Sequence, residues 1–102
     1  MPIFESSVVL IDENAFLITG GFQNKLVNLV SSACFQFDTL TFKLKKKQNM
    51  TVPRFEHKLC KVDNFVYVFG GRAKNSFVLR SCERYSLLQN EWQQIPPLVS
   101  EK

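Results

Sequence analysis

Glycine is scarce in this sequence: 102 residues contain four, along with four prolines, three cysteines, one histidine and one tryptophan. A single histidine and three cysteines without a Cys-x-x-Cys pair argue against a zinc site, so no metal or other cofactor is expected. An odd number of thiols suits a reducing compartment, where Cys34, Cys60 and Cys82 are each expected to act as a small buried hydrophobe. No stretch approaches the roughly 20 apolar residues that span a bilayer. The opening MPIFESSVVLIDENAF also lacks the basic region, long apolar run and small-residue cleavage site of a secretory signal. These absences lead to the expectation of a soluble cytoplasmic protein with no membrane partner.

What is present is strand material. Ten phenylalanines, with abundant Val and Leu and little Ala, suit pleated sheets better than helices. The apolar runs are about five residues long and are broken by Asp-Asn or Gly-Gly signals, which favours an all-β fold. A formal net charge of +4 biases partners toward acidic surfaces but falls short of a nucleic-acid specialist.

The chain repeats itself. VVLIDENAFLITGG (Val8 to Gly21) lies over KLCKVDNFVYVFGG (Lys58 to Gly71) at an offset of 50, a hairpin written twice. Each Gly-Gly is followed by a polar loop and a third extended stretch, Val30 to Asp38 and Val78 to Ser86, at an offset of 48, which aligns Cys34 with Cys82 and Phe37 with Tyr85. A fourth stretch, Thr41 to Lys45 and Glu91 to Ile95, places Leu44 where Trp92 stands. A period near 50 with four strands per unit predicts two four-stranded antiparallel blades of a partial β-propeller, residues 1–50 and 51–102.

The second repeat carries Pro53-Arg54-Phe55-Glu56-His57, a hydrophobic run into Gly70-Gly71, Cys82-Glu83-Arg84-Tyr85, Trp92 seven residues beyond the tyrosine, and then Ile95-Pro96-Pro97-Leu98. This pattern resembles the Kelch repeat. The first repeat is more divergent: Phe37 replaces the tyrosine, Leu44 replaces the tryptophan, and the Pro-Arg-His stretch is missing at Ile3 to Ser7. The WD40 repeat would need a shorter period and its Gly-His and Trp-Asp signatures, which are absent.

Gly20-Gly21 and Gly70-Gly71 are read as sharp turns or close backbone approaches, because no helix with a Lys and Ser/Thr follows to make a phosphate cradle. Phe37, Leu44, Tyr85 and Trp92 are read as filling the space between stacked blades. The resemblance implies that Arg54 and His57 form a polar bracket tying one blade to the loop of the next. Lys43, Lys45, Lys46 and Lys47 are read as shielding an outer strand edge rather than binding phosphate, and Cys34 and Cys82, a sheet spacing apart, are not expected to bridge. Asn49-Met50-Thr51 is a sequon that should stay idle without a secretory route.

The resemblance implies a protein-binding module, a substrate-recognition adaptor or scaffold that presents its inter-strand loops, rather than an enzyme. On those loops Gln23, Asn24, Lys25, Arg72, Lys74 and Asn75, with Glu56 on the inter-blade stretch, are the candidate binding residues, and the basic ones would favour an acidic segment of a protein partner. A propeller enzyme of the galactose oxidase type would need several His and Tyr ligands, against one and two here. Nucleic-acid binding, the third reading, would show a steep salt dependence. Two blades leave two faces bare, so further blades, or copies of the chain, are expected to complete a ring.

Overall fold

The computed structural model describes residues 6–24 and 29–96. Strands β1 (Ser7–Asp12), β2 (Ala15–Thr19), β5 (Cys34–Asp38) and β6 (Lys43–Lys47) form one antiparallel sheet in the order β1-β2-β5-β6. Strands β7 (Lys58–Val62), β8 (Phe65–Phe69), β9 (Cys82–Ser86) and β10 (Glu91–Ile95) form the second in the order β7-β8-β9-β10. These are two four-stranded blades.

The repeat is visible bond by bond. Asn14 O accepts from Thr39 N and Asn64 O from Leu87 N, both at 2.9 Å; Gly20 N donates to Ala33 O as Gly70 N does to Ser81 O. Local chemistry sets the turns: Asp12 Oδ1 accepts from Asn14 N at 2.8 Å, and Asp38 Oδ1 accepts from Leu40 N at 2.8 Å. The Asp38 turn, completed by Phe42 at φ 60°, delays the outer strand to Lys43–Lys47, two residues later than the expected Thr41 start. The third strands likewise begin later than expected, at Cys34 and Cys82, because the loops before them fold for themselves. One loop holds a small ladder of β3 (Phe22–Asn24) and β4 (Leu29–Val30), and the other a 3-10 turn at Lys74–Ser76.

Alternation gives each blade two faces. The rear face of the first blade presents Val9, Ile11, Ala15, Leu17 and Cys34; it packs on the front face of the second, with Leu59, Val66, Tyr85 and Trp92. Tyr85 and Trp92 are directly opposed on β9 and β10, rings 5.0 Å apart, so their seven-residue spacing is the signature of a cross-strand pair. The Trp92 indole N–H also donates to Gln48 O at 2.7 Å, which ties the blade-to-blade connection to the second sheet.

Phe37 and Leu44 are opposed in the same way on β5 and β6, but they lie on the front face of the first blade, away from the second, and Leu44 is 44% exposed. They do not fill the space between these two blades: equivalent positions one repeat apart point the same way around the stack. The lysine strand β6 is a sheet edge, as its alternation suggested. The sequon asparagine, Asn49, accepts a hydrogen bond from Lys46 Nζ.

All three cysteines are unpaired, but they are not alike. Cys34 and Cys82 are buried, and burial pushes the Cys34 thiol up to about 12. Cys60 is exposed, contrary to the expectation of three buried thiols, because its side of β7 faces away from the first blade. A thiol-specific reagent should therefore label one thiol rapidly in the folded protein and three in denaturant, with Cys60→Ser abolishing the rapid phase. Mass spectrometry of the labelled peptides checks it, and rapid labelling at Cys34 or Cys82 would contradict this packing.

Candidate functional site

The loops following β2 and β8 and the segment that carries the chain from β6 to β7 meet along one edge of the two sheets. Gly21 N donates to Arg54 O at 2.9 Å, Met50 N to Ser32 O at 2.8 Å, and Phe55 exchanges two backbone hydrogen bonds with Arg72. Phe22 and Phe55 pack across the seam with centroids 4.4 Å apart and ring planes tilted by 39°.

Arg54 and His57 organise this seam. The Arg54 side chain is fully buried; Nη1 donates to Gly70 O at 2.7 Å and Ser81 O at 2.9 Å, while Nη2 meets Glu83 Oε2 at 3.0 Å. Glu83 is fully buried too, and its other oxygen accepts from Thr51 N and Thr51 Oγ1 at 2.9 and 3.0 Å. The guanidinium fork thus pins the end of β8, the start of β9 and the inter-blade segment together, a task that needs several donors in one plane.

His57 Nε2 lies 2.7 Å from Thr19 Oγ1 of the first blade, and Nδ1 has no hydrogen-bond partner. A buried lone pair is less costly to leave unmade than a buried N–H, so the proton is assigned to Nε2, which donates to Thr19. Burial, reinforced by the Arg54 charge, holds His57 down at about 4, so the ring is neutral at physiological pH. The single histidine of the chain is thereby engaged in joining the blades.

The glycines make room for this bracket. A Cβ on Gly20 (φ +65°) would stand 2.3 Å from Arg54 O, and one on Gly71 (φ +89°) 2.7 Å from Phe55 O. Both positions combine a left-handed backbone with a close approach that only glycine tolerates.

Outside the bracket, the edge is more apolar than the sequence suggested. Between the two loops runs a groove of about 260 Å³ lined by Leu29, Val30, Val52, Pro53, Ala73 and Lys74. Phe77 and Val78 stand beside it on the second loop, 70% and 71% exposed. The runs Leu29-Val30 and Phe77-Val78, set inside otherwise polar loops, are the signal of this apolar edge in the sequence.

The loop residues expected to bind a partner divide. Arg72 is not a free cation: Nε donates to Glu56 Oε1 at 3.0 Å and Nη1 to Ser76 O at 3.2 Å. It and Glu56 hold each other across the seam in an exposed pair of small energetic worth. Lys74 lines the groove, with Asn75 next to it in the left-handed region. Gln23 and Asn24 belong to β3, on the other side of the seam, and Lys25 lies outside the described residues. Among the described residues, no group of three or more His, Cys, Asp and Glu side chains is placed to hold a metal ion. No helix among them is long and apolar enough to cross a membrane.

Two four-stranded antiparallel sheets stacked face to face, with connecting loops gathered on one edge, define a partial β-propeller. The chain belongs to the Kelch-repeat family: residues 53–99 match the family model of the Kelch motif. It is similar to Kelch-like protein 25 of Xenopus laevis, 34% identical over 89 residues, and to Kelch-like protein 25 of Xenopus tropicalis, 32% identical over 89 residues. Each match covers 79% of this chain and 15% of the relative's length.

Proposed function

We propose that the chain is a protein-interaction module that holds a short segment of a protein partner along its loop edge. The groove between the two loops carries this reading: it crosses the seam of the two blades, is lined by carbon, and has Lys74 on its rim. A dry cavity of about 150 Å³ already accommodates benzene. The larger groove here suits one branched or aromatic side chain as an anchor, and an adjacent carboxylate on the partner would meet Lys74. Lys74 rather than Arg72 is the cation for an acidic segment, because Arg72 is held by Glu56.

In this reading the chain works as a substrate-recognition adaptor or scaffold and not as an enzyme. It does so in the cytoplasm, where unpaired thiols such as exposed Cys60 persist in reduced form.

Peptides selected from a random library against the wild-type chain provide the test. Ala73→Arg, which fills the groove, should abolish their binding, and Lys74→Glu should weaken it about tenfold, or roughly 1.4 kcal/mol. Leu88→Ser, at the turn on the opposite edge where Leu88 is 78% exposed, should leave affinity unchanged. Peptides that bind Ala73→Arg as well as wild type would place the interaction elsewhere.

A further inference from the structure

We propose that the groove between the outer strand of the second blade and the connection leaving β6 binds a short neutral oligosaccharide, at a site separate from the loop edge.

The connection runs beside β10 and is fastened to it along its length. Gln48 N donates to Asn90 Oδ1 at 3.0 Å, Trp92 Nε1 donates to Gln48 O at 2.7 Å, and farther along Gln94 Nε2 donates to Thr51 Oγ1. Beside these fastenings lies a groove of about 460 Å³, with Gln48 and Asn49 on one wall and Gln89, Asn90, Glu91 and Trp92 on the other. Small-molecule sites occupy roughly 300–1,000 Å³. Both walls are residues of this chain.

The hydrogen bonds within the walls decide what the groove offers a ligand. Asn90 Oδ1 accepts from Gln48 N and from the Tyr85 hydroxyl. A backbone N–H can only donate, so the accepting atom is the oxygen, and the NH2 group of Asn90 is left for the groove. Asn49 is oriented in the same way, because its Oδ1 accepts from the Lys46 ammonium. Two fixed N–H donors therefore share one space with the Glu91 carboxylate and the amides of Gln48 and Gln89. Trp92 adds carbon: its N–H is held by Gln48 O, it packs on Tyr85, and the half-buried ring is the one aromatic surface in the lining.

This set selects partly by exclusion. No lysine or arginine among the described residues lines the groove, so a phosphate or carboxylate would find no countercharge there. No Leu, Ile or Val lines it either, so an aliphatic anchor would find no pocket. A sugar hydroxyl both donates and accepts, and adjacent hydroxyls can take an N–H from an asparagine while giving an O–H to a carboxylate or carboxamide. The C–H face of a pyranose also suits the electron-rich face of an aromatic ring. Binding of an uncharged ligand should not change with salt, whereas salt screens the Lys74 contact at the loop edge.

Trp92 is the single tryptophan of the chain, so its fluorescence reads occupancy of the groove. Maltotriose, cellotriose and chitotriose are each titrated into the wild-type chain, and at least one should give a saturable emission change, equal at low and high salt. Asn49→Ala and Glu91→Ala, both at exposed positions, remove one donor and one acceptor and should each weaken that binding about tenfold. Ala73→Arg, which fills the loop-edge groove, should leave it unchanged, so the two sites stand or fall separately. The absence of a saturable change with all three trisaccharides, alanine variants that bind as tightly as wild type, or a change produced only by peptides selected against the wild-type chain would each overturn the proposal.

Discussion

Glu83→Ala should cost the fold about 3–5 kcal/mol, the range for removing one partner of a buried ion pair. The carboxylate is fully buried and takes three hydrogen bonds, from Arg54 Nη2, Thr51 N and Thr51 Oγ1. Without it the guanidinium remains buried beside the ends of β8 and β9 with its charge uncompensated, and Thr51 N loses its acceptor. Domains of this size have roughly 5–15 kcal/mol in total, so the variant should sit near the edge of unfolding at room temperature. Glu83→Gln keeps an oxygen for Thr51 but sets an amide or an uncharged oxygen against Arg54, and should fall between the two. Urea denaturation followed through Trp92, which packs on Tyr85 in the same joint, gives the ranking. A loss below about 0.5 kcal/mol for Glu83→Ala, the range of ordinary surface substitutions, would mean that the pair does not hold the blades.

Acid should open the same joint from its other side. His57 is held at about 4 against an ordinary 6.5, so the unfolded chain takes up the proton first as pH falls. Stability then rises with pH, because the unfolded state binds more protons. The His57 contribution is complete above pH 6.5 and is lost progressively toward pH 4, with a total loss of about 3 kcal/mol for a shift of this size. Because His57 is the only histidine, the window between 4.5 and 6.5 belongs largely to it, above the range in which most carboxylates titrate. His57→Asn cannot titrate there, and its stability, though lower at neutral pH, should be flat across that window. A wild-type curve equally flat would show that the imidazole protonates without disturbing the joint.

Both predictions fall on residues whose importance the sequence conveys unevenly. Arg54 and His57 stand in a recognisable Pro-Arg-x-x-His stretch, but Glu83 gives no comparable sign, apart from being a charged residue two positions before the inward-facing Tyr85. Its role depends on Thr51 and Arg54, 32 and 29 residues away. The loop edge is encoded less locally still. Arg72 looked like a free cation because its partner Glu56 lies 16 residues back, on a segment whose path across the seam no local pattern encodes. Cys60 occupies an alternating strand position that reads as buried, and it is exposed because its side of β7 faces away from the first blade.

What the sequence by itself determined is everything with a short period: strands broken by Asp-Asn and Gly-Gly, the hairpin repeated at an offset of 50, and the opposed pairs Phe37–Leu44 and Tyr85–Trp92 that a seven-residue spacing writes across a turn. These follow from side-chain alternation and turn chemistry, which act within a few residues. Which face meets which was decided only by tertiary structure. The stacking of rear face on front face turned one histidine and one arginine into a buried joint, directed two sets of equivalent residues to opposite fates, and left an apolar groove where the loops converge. Burial depends on what lies across a sheet spacing of about 10 Å, and no pattern along a single strand specifies that neighbour.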